Sequence, residues 1–574
     1  MGTSRNAASG ETASPVECLQ EVSSQLYTQD PHNPLLYIHR ARLHTRLRFP
    51  DLAAADAYRA LILLESVVDP EDSDYVARRR SSTHAGPMTA GDGDENDEVH
   101  FVQITREEYD ATIGDAYVLL VTNLARTGCL QDAYEYATRA VTHLQELESQ
   151  SNRSQADPIA RLRSCAEIIE KHQRKTNPDG EFKPGSLSDR GSARRVLYPW
   201  NDHEPDRYSP ETIALLNERL EEVAPKLEVG TGELPALHDG DTGKDGKSYQ
   251  LGVFAKEDLA PGEVILKELS LLTATNRLHD LRCDACNGPL PEPPTVANGA
   301  ADDTDAAQSV ACEGCADVIF CSQKCHDLAQ EVYHAALCGR EELESFGKEV
   351  DDPNRVGYLY FLLLARAIAM AATQDIHPLE LSEVKYIWGD FHPYVEQEIT
   401  EEDDIQIGSD TSEPLPFSFQ LHIVQPFRLL EAMGLDPFVC LERYDTWVLN
   451  TLYAKFRGVA SGHISRWDGR PELCCVHPLW CLANHSCDPN VRWEVKGDIT
   501  FTVRKPEERV TWEGKPSEEL QRHEGIRKGE EIMSHYCDVD LDLWRRRRWA
   551  RSTLGGDCKC PRCLWEEALE NNSA

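Results

Sequence analysis

The chain of 574 residues has no run of about 18 apolar residues, the length a helix needs to cross a bilayer. Its opening stretch, MGTSRNAASGETASPVE, lacks the apolar segment of a secretory signal. A myristoylation signal is missing too, because Asn6 stands where serine or threonine is required. Positive charge is scarce: 59 lysines and arginines face 98 aspartates and glutamates, a formal net charge of −39. Such a surface repels nucleic acid on average and attracts a basic peptide, although acidity also serves solubility alone. The expectation is a reducing compartment, nucleus or cytoplasm, with no membrane and no direct nucleic-acid partner. There, the 19 cysteines read as metal ligands rather than disulfides, and the sequon at Asn484 stays unmodified.

At this length three or four structural units are expected. Residues 33–65 read as two short amphipathic helices joined near Phe49-Pro50, with Ala41 in the first and Ala53 and Ala60 in the second. Residues 113–147 repeat the scheme, with Ala133 and Ala140 again seven apart, on one helical face where a neighbour can approach closely. This resembles tetratricopeptide repeats, helix–turn–helix units of about 34 residues. Two copies are too few for a stable array, so weaker helices should flank them, for example around 159–174. An acidic, polar insert at about 69–99 reads as disordered. Beyond a linker at 176–195, strand signals appear at 249–255 and 263–268 around the turn Ala260-Pro261-Gly262, at 491–495, at 499–503 and at 531–534. Helical periodicity marks 355–376 and 415–460.

Between 283 and 338 lie four close pairs: Cys283 and Cys286, Cys312 and Cys315, Cys321 and Cys325, His334 and Cys338. Eight soft or borderline ligands are what two tetrahedral zinc sites require, and short spacers let one turn present both side chains to one ion. No position is left open for water, so the role is structural. The order resembles a MYND finger. That resemblance implies interleaved sites, Cys283/Cys286/Cys321/Cys325 and Cys312/Cys315/His334/Cys338, with His326 as an alternative to His334.

Near the end, Cys558, Cys560 and Cys563 supply three thiolates, and Cys487 in CLANHSCDPNV is the candidate fourth. NHSCDPN, then KGEEIMSHYCD (528–538), then CKCPRC, resembles the SET lysine methyltransferases, whose opening motif is similar to YQLGVFAKEDLAPGEVI (249–265). With the finger between opening and core, the match is to SET-and-MYND proteins over roughly 196–566. The implied fold is α+β and multidomain. Tetratricopeptide-like helices occupy 1–175, and the β-rich SET domain falls at 196–282 and 481–540. It is split by the finger (283–338) and a helical insert (339–480), and a zinc-binding post-SET segment follows at 541–566.

The resemblance implies S-adenosylmethionine-dependent transfer of methyl to a lysine on a histone or another protein, with about three zinc ions. Tyr536 corresponds to the catalytic tyrosine, Asn484 and His485 to the pair that contacts the cofactor, and Gly252 to its methionine end. Cys487, Cys558, Cys560 and Cys563 correspond to the third zinc, whose segment walls the lysine channel. Gln250 departs from the usual glycine. A weakly catalytic scaffold that binds peptides through repeats and finger is the alternative. The run Trp544–Trp549, with four arginines inside it, reads as a solvated helix face, and His535 as a minor candidate for a proton relay.

Overall fold

The computed structural model describes residues 14–573 except 69–103, 152, 177–181, 238–246, 276–280, 292–307, 316–317, 341, 344–354, 390, 396–404, 409–414, 466 and 516–524. The expected acidic insert therefore lies outside the described residues. The chain divides into two compact units, Met1–Asn201 with His392–Asn450, and Asp202–Phe391 with Thr451–Ala574.

The first unit is helical. Helices α1 (Pro15–Thr28), α2 (Pro34–Arg46), α3 (Pro50–Val68), α4 (Arg106–Thr127), α5 (Leu130–Gln150) and α6 (Ala156–Thr176) pack in sequence. Their ends are written in the sequence. Ser14 and Thr105 cap α1 and α4 in reciprocal capping boxes with Glu17 and Glu108. Gly128, at φ +96°, stops α4 two residues before α5 begins. Ala41, Ala53, Ala60, Ala133 and Ala140 are all fully buried, as close helix packing demands. One buried ion network joins the helices to the returning segment: Arg40 grips Asp56 through Nε and Nη2 (2.8 and 2.6 Å) and Asp445 through Nη1 (2.8 Å). Removing one partner of such a buried set costs about 3–5 kcal/mol. The returning segment adds the strand Leu415–Phe417, antiparallel to Gly191–Ala193, where helix had been expected.

The second unit is mixed. Helix α7 (Pro210–Val223) covers a hairpin of β1 (Leu227–Pro235) and β2 (Lys247–Ala255), in register from Leu227↔Ala255 to Pro235↔Lys247. Strand β3 (Val264–Leu269) follows the predicted turn, in which Gly262 sits at φ +81°. It forms an antiparallel sheet with β7 (Val491–Lys496) and β8 (Asp498–Val503), in the order β7-β8-β3. A second small sheet joins β4 (Thr273–Thr275), β6 (Pro471–Cys475) and β5 (Ser461–Ile464), in the order β4-β6-β5. Leu220, Val253, Ile265, Val491, Phe501 and Ile532 share one buried core beneath these elements. Helix α9 (Arg355–Gln374) packs on β4 and β6; α8 (Gln323–Val332) belongs to the cysteine-rich segment. The Val356–Gln374 stretch of α9 has mean hydropathy 1.6, enough for a membrane span by length and composition, yet half of it is buried in the unit. Arg366 interrupts it and donates to the Asp284 carboxylate and backbone. The expected strand at 531–534 is reduced to single bridges, Phe254↔Glu531 and His485↔Ser534. Helices α10 (Leu543–Leu554) and α11 (Pro561–Ser573) end the chain.

Candidate active site and metal centres

Two segments far apart in sequence are threaded together to build the site. The first, leading to Asn484, is held by Glu268 of β3. Its two carboxylate oxygens accept from the backbone N–H groups of Leu479 (3.0 Å) and Trp480 (2.8 Å). Glu268 is 4% exposed, and burial pushes its carboxyl up to about 7 against the lowering pull of those two bonds. The second segment, 529–537, lies along β2, with Ile532 N–H on Val253 O (2.7 Å) and Ala255 N–H on Glu530 O (3.0 Å). It then crosses to the first: Ser534 N–H donates to Asn484 O (2.7 Å) and Ser486 N–H to Ser534 O (2.8 Å).

This crossing brings Gly252, Asn484, His485 and Tyr536 into one neighbourhood. The Tyr536 hydroxyl donates to Ala483 O (2.9 Å), and the Tyr536 backbone N–H donates to His485 Nδ1 (3.0 Å). The two rings lie 5.2 Å apart. Burial pushes the His485 imidazole down to about 4, so the ring is neutral. Because Nδ1 accepts a backbone N–H, the ring proton sits on Nε2, which lies 3.4 Å from Cys487 Sγ. Asn484 Nδ2 donates to Leu251 O (2.8 Å) and to Glu531 Oε1 (2.7 Å). Glu531 did not figure among the sequence candidates, although it is the second acid of Gly529-Glu530-Glu531. It is half-buried, and burial raises its carboxyl above the ordinary value while the Asn484 bond opposes. A Cβ on Gly252 would meet Glu531 Oε1 at 2.4 Å, so glycine there makes room for the carboxylate. Gln250 lies on the same face of β2, its Nε2 3.4 Å from Ser248 Oγ.

Tyr536 opens on a cleft of about 1100 Å³ within the second unit, walled by Trp480, Trp493, Trp549 and Leu473 and edged by the Ser461–Ile464 strand. His535 stacks on Trp493 (5.6 Å between centroids) and its Nδ1 lies 3.1 Å from Cys537 O.

The sulfur donors gather in the sets that the resemblance implies. Among the described residues Cys283, Cys286, Cys321 and Cys325 form one set, Cys312, Cys315, His334 and Cys338 a second, and Cys487, Cys558, Cys560 and Cys563 a third. In each set all ligand atoms lie within 4.8 Å of one another. S–S separations of 3.5–3.8 Å match the roughly 3.8 Å edge of a tetrahedron with 2.3 Å Zn–S bonds. The donor chemistry and geometry fit zinc. His326, the alternative ligand, turns to Asp327 and Gln323 instead. The third set has a neighbour unforeseen in the sequence: Cys537 stands within the same 4.8 Å of Cys487 and His485.

Helix α10 departs from a purely solvated face. Trp544 (72% exposed) and Arg545 point outward, but Arg546 is 1% exposed and reaches Leu541 O, Glu566 and Cys563 Sγ. Arg547 pairs with Glu567 on α11 and with Cys558 O. With Arg562, which donates to Cys487 O and Val539 O, these arginines bind the terminal helices to the third cysteine set. Desolvated guanidinium groups satisfy carbonyls and thiolates that would otherwise be buried without a donor.

The SET domain family profile matches residues 250–537, the span that contains every one of these crossings. A histone-lysine N-methyltransferase, SET5 of Candida glabrata, is 26% identical over 112 residues, 20% of this chain. The chain spans 18% of that relative's length in the match.

Proposed function

The chain belongs to the SET-domain family, and from that premise we propose that it is an S-adenosylmethionine-dependent protein lysine N-methyltransferase acting on histone or non-histone lysines. The observation that carries the proposal is the meeting of Tyr536, His485 and Asn484 beside the β2 backbone, with Tyr536 opening on a cleft of about 1100 Å³.

A bound S-adenosylmethionine would supply an electrophilic methyl on a sulfonium. Its chemistry fits the residues present: Asn484 and Glu531 offer a donor and a carboxylate acceptor. The raised carboxyl of Glu531 gains from an ammonium group beside it. We assign Gly252, Asn484, His485 and Glu531 to cofactor binding. The cleft residues do the rest. A lysine has a pKa near 10.4 and must lose a proton before its amine can attack. Trp480 and Trp493 give the cleft an apolar wall, and an amine seated against it would be disfavoured as ammonium. The Tyr536 hydroxyl proton is committed to Ala483 O. Its oxygen therefore accepts, from the amine or the transferring methyl, and orients the nucleophile without serving as a base. In-line positioning of this kind supplies much of the acceleration.

The same reading assigns the first two cysteine sets to a MYND finger splitting the SET domain, and the third to a post-SET zinc segment that walls the lysine channel. It assigns the helices of the first unit to tetratricopeptide-like repeats. The substrate is then a basic, lysine-containing tail drawn by the net charge of −39, in nucleus or cytoplasm.

The deciding experiment is transfer of labelled methyl from S-adenosylmethionine to core histones and a mixed protein extract, with Asn484→Ala as control. Label that appears only with the unaltered protein supports the enzyme. No label and no calorimetric binding of cofactor overturns it and favours the peptide-binding scaffold, with Gln250 as the reason.

A further inference from the structure

The third cysteine set has one sulfur too many. Four thiolates, Cys487, Cys558, Cys560 and Cys563, complete a tetrahedral zinc. Cys537 stands against the same Cys487, grouped with it and with His485 inside 4.8 Å. A second metal seat built on His485, Cys487 and Cys537 is ruled out by the imidazole. Its Nδ1 accepts the Tyr536 N–H at 3.0 Å, so Nε2 keeps its proton and has no lone pair for a metal. Cys537 is thus a thiol without a ligand's task. It is 3% exposed, yet it lines the 1100 Å³ cleft onto which Tyr536 opens. A small oxidant in the cleft reaches Cys537 without unfolding the chain. The three terminal cysteines are absent from that lining.

We propose that Cys537 and Cys487 form an oxidisable pair through which a hydroperoxide strips zinc from the third centre. The Cys537 thiol attacks the peroxide; the O–O bond breaks, one oxygen stays on sulfur as sulfenic acid, and the other leaves as the alcohol or water. Cys487 then attacks the sulfenyl sulfur. The S–S bond forms, the hydroxyl departs as water with one proton, and the Zn–S bond to Cys487 is lost. One thiol and one zinc-bound thiolate are oxidised by two electrons in all, solvent supplies the proton of the departing water, and one peroxide is reduced. Closing the gap from under 4.8 Å to a bond of about 2.05 Å moves the residue next to Tyr536. It also leaves the metal three ligands, all from the tail, whose remaining ties to the core include the Arg562 bonds to Cys487 O and Val539 O. The finger centres lack this device: among the described residues neither of their sets has a fifth thiol within the same distance.

The inference rests on the third metal centre and not on the methyl-transfer reading, so its test reads metal and sulfur. The full-length zinc-loaded protein is titrated with hydrogen peroxide while a chromogenic chelator reports zinc. Disulfides are then mapped by mass spectrometry of the unreduced digest. The expected result is release of one zinc per chain together with a Cys487–Cys537 crosslink, and release slowed roughly tenfold or more in Cys537→Ala. The unaltered protein decides the matter even if the variant folds poorly. A first disulfide among Cys558, Cys560 and Cys563, or no crosslink at the peroxide level that empties the site, overturns the proposal. So does equal zinc loss in a folded Cys537→Ala protein.

Discussion

The two cysteine-rich regions use the same donors and are built on opposite plans. The finger region takes all its ligands from one continuous stretch, Cys283 to Cys338, and leaves Cys315, Cys321 and Cys338 half-exposed. The terminal region draws Cys487 from the core of the second unit and the other three from the tail, all four buried. A local cluster chiefly folds its own loop, and here its link to the rest of the unit includes Arg366 of α9 on Asp284. A long-range cluster fixes where a tail docks, and here Cys487 lies two residues beyond His485 and takes Arg562 on its carbonyl. Metal loss should disturb Tyr536 and His485 less from the first region than from the second.

The largest effect separates these plans directly. Cys560→Ser and Cys315→Ser should each lower bound zinc from about three ions to two, measured by atomic emission on the purified chain. Only Cys560→Ser should also cut methyl transfer, by about a hundredfold. Equal loss of transfer in both variants would mean the finger is not local in its effects.

Tyr536→Phe comes next and asks whether chemistry is confined to the long-range region. One neutral hydrogen bond, to Ala483 O, is lost, worth about 1 kcal/mol of stability. Methyl transfer should fall roughly a hundredfold in kcat with the cofactor Kd little changed. An unchanged rate removes Tyr536 from the mechanism.

Glu268 gives the long-range region a pH dependence. Its folded carboxyl is raised from the ordinary 4.5 to about 7, so between these values the folded protein holds a proton that the unfolded chain has released. Stability therefore falls as pH rises through this window, by about 2–3 kcal/mol across pH 5 to 8. In Glu268→Gln the fall should shrink, as read by urea unfolding of both proteins at each pH. The same slope in both would place the titration elsewhere.

How much of this was legible in the sequence follows from the same contrast. The ligand pairs could be read because cysteines with short spacers advertise a metal without any fold, while their grouping into sets came from the resemblance. Helices α2 to α5 were legible from amphipathic patterning and alanine spacing, which are local signals, whereas α1 and the capping residues were not read. Strands β2, β3, β7 and β8 were marked by alternation and turns. Strand β1 and the β5–β6 hairpin were not, since their place is set by partners distant in sequence. The segment 531–534 has strand chemistry but spends its backbone on two different neighbours, Val253 and Asn484, so no ladder forms. Arg546 looked like surface inside a run of four arginines; only the fold shows that it is 1% exposed. Glu531 and Cys537 stood in plain view beside recognised motif residues. What marks them out is contact with Gly252, Asn484 and Cys487, which no spacing encodes.

The smallest effect concerns that contact between Gly252 and Glu531. A methyl at Gly252 would lie 2.4 Å from Glu531 Oε1 and 3.1 Å from Asn484 Nδ2, so the carboxylate must swing and the 2.7 Å bond to Asn484 must lengthen. Gly252→Ala should cost about 1–2 kcal/mol, the usual range for overpacking against a side chain that can give way. Glu531→Ala removes the obstacle, so the double variant should be more stable than the sum of the two single losses predicts, by about 1 kcal/mol in a double-mutant cycle. Cofactor binding should separate packing from chemistry. If Glu531 receives the cofactor's ammonium group, Glu531→Ala and the double variant should bind S-adenosylmethionine equally weakly, whatever their stabilities. If restored packing also restores binding, the carboxylate only shapes the site, and the long-range region contributes geometry there and not charge.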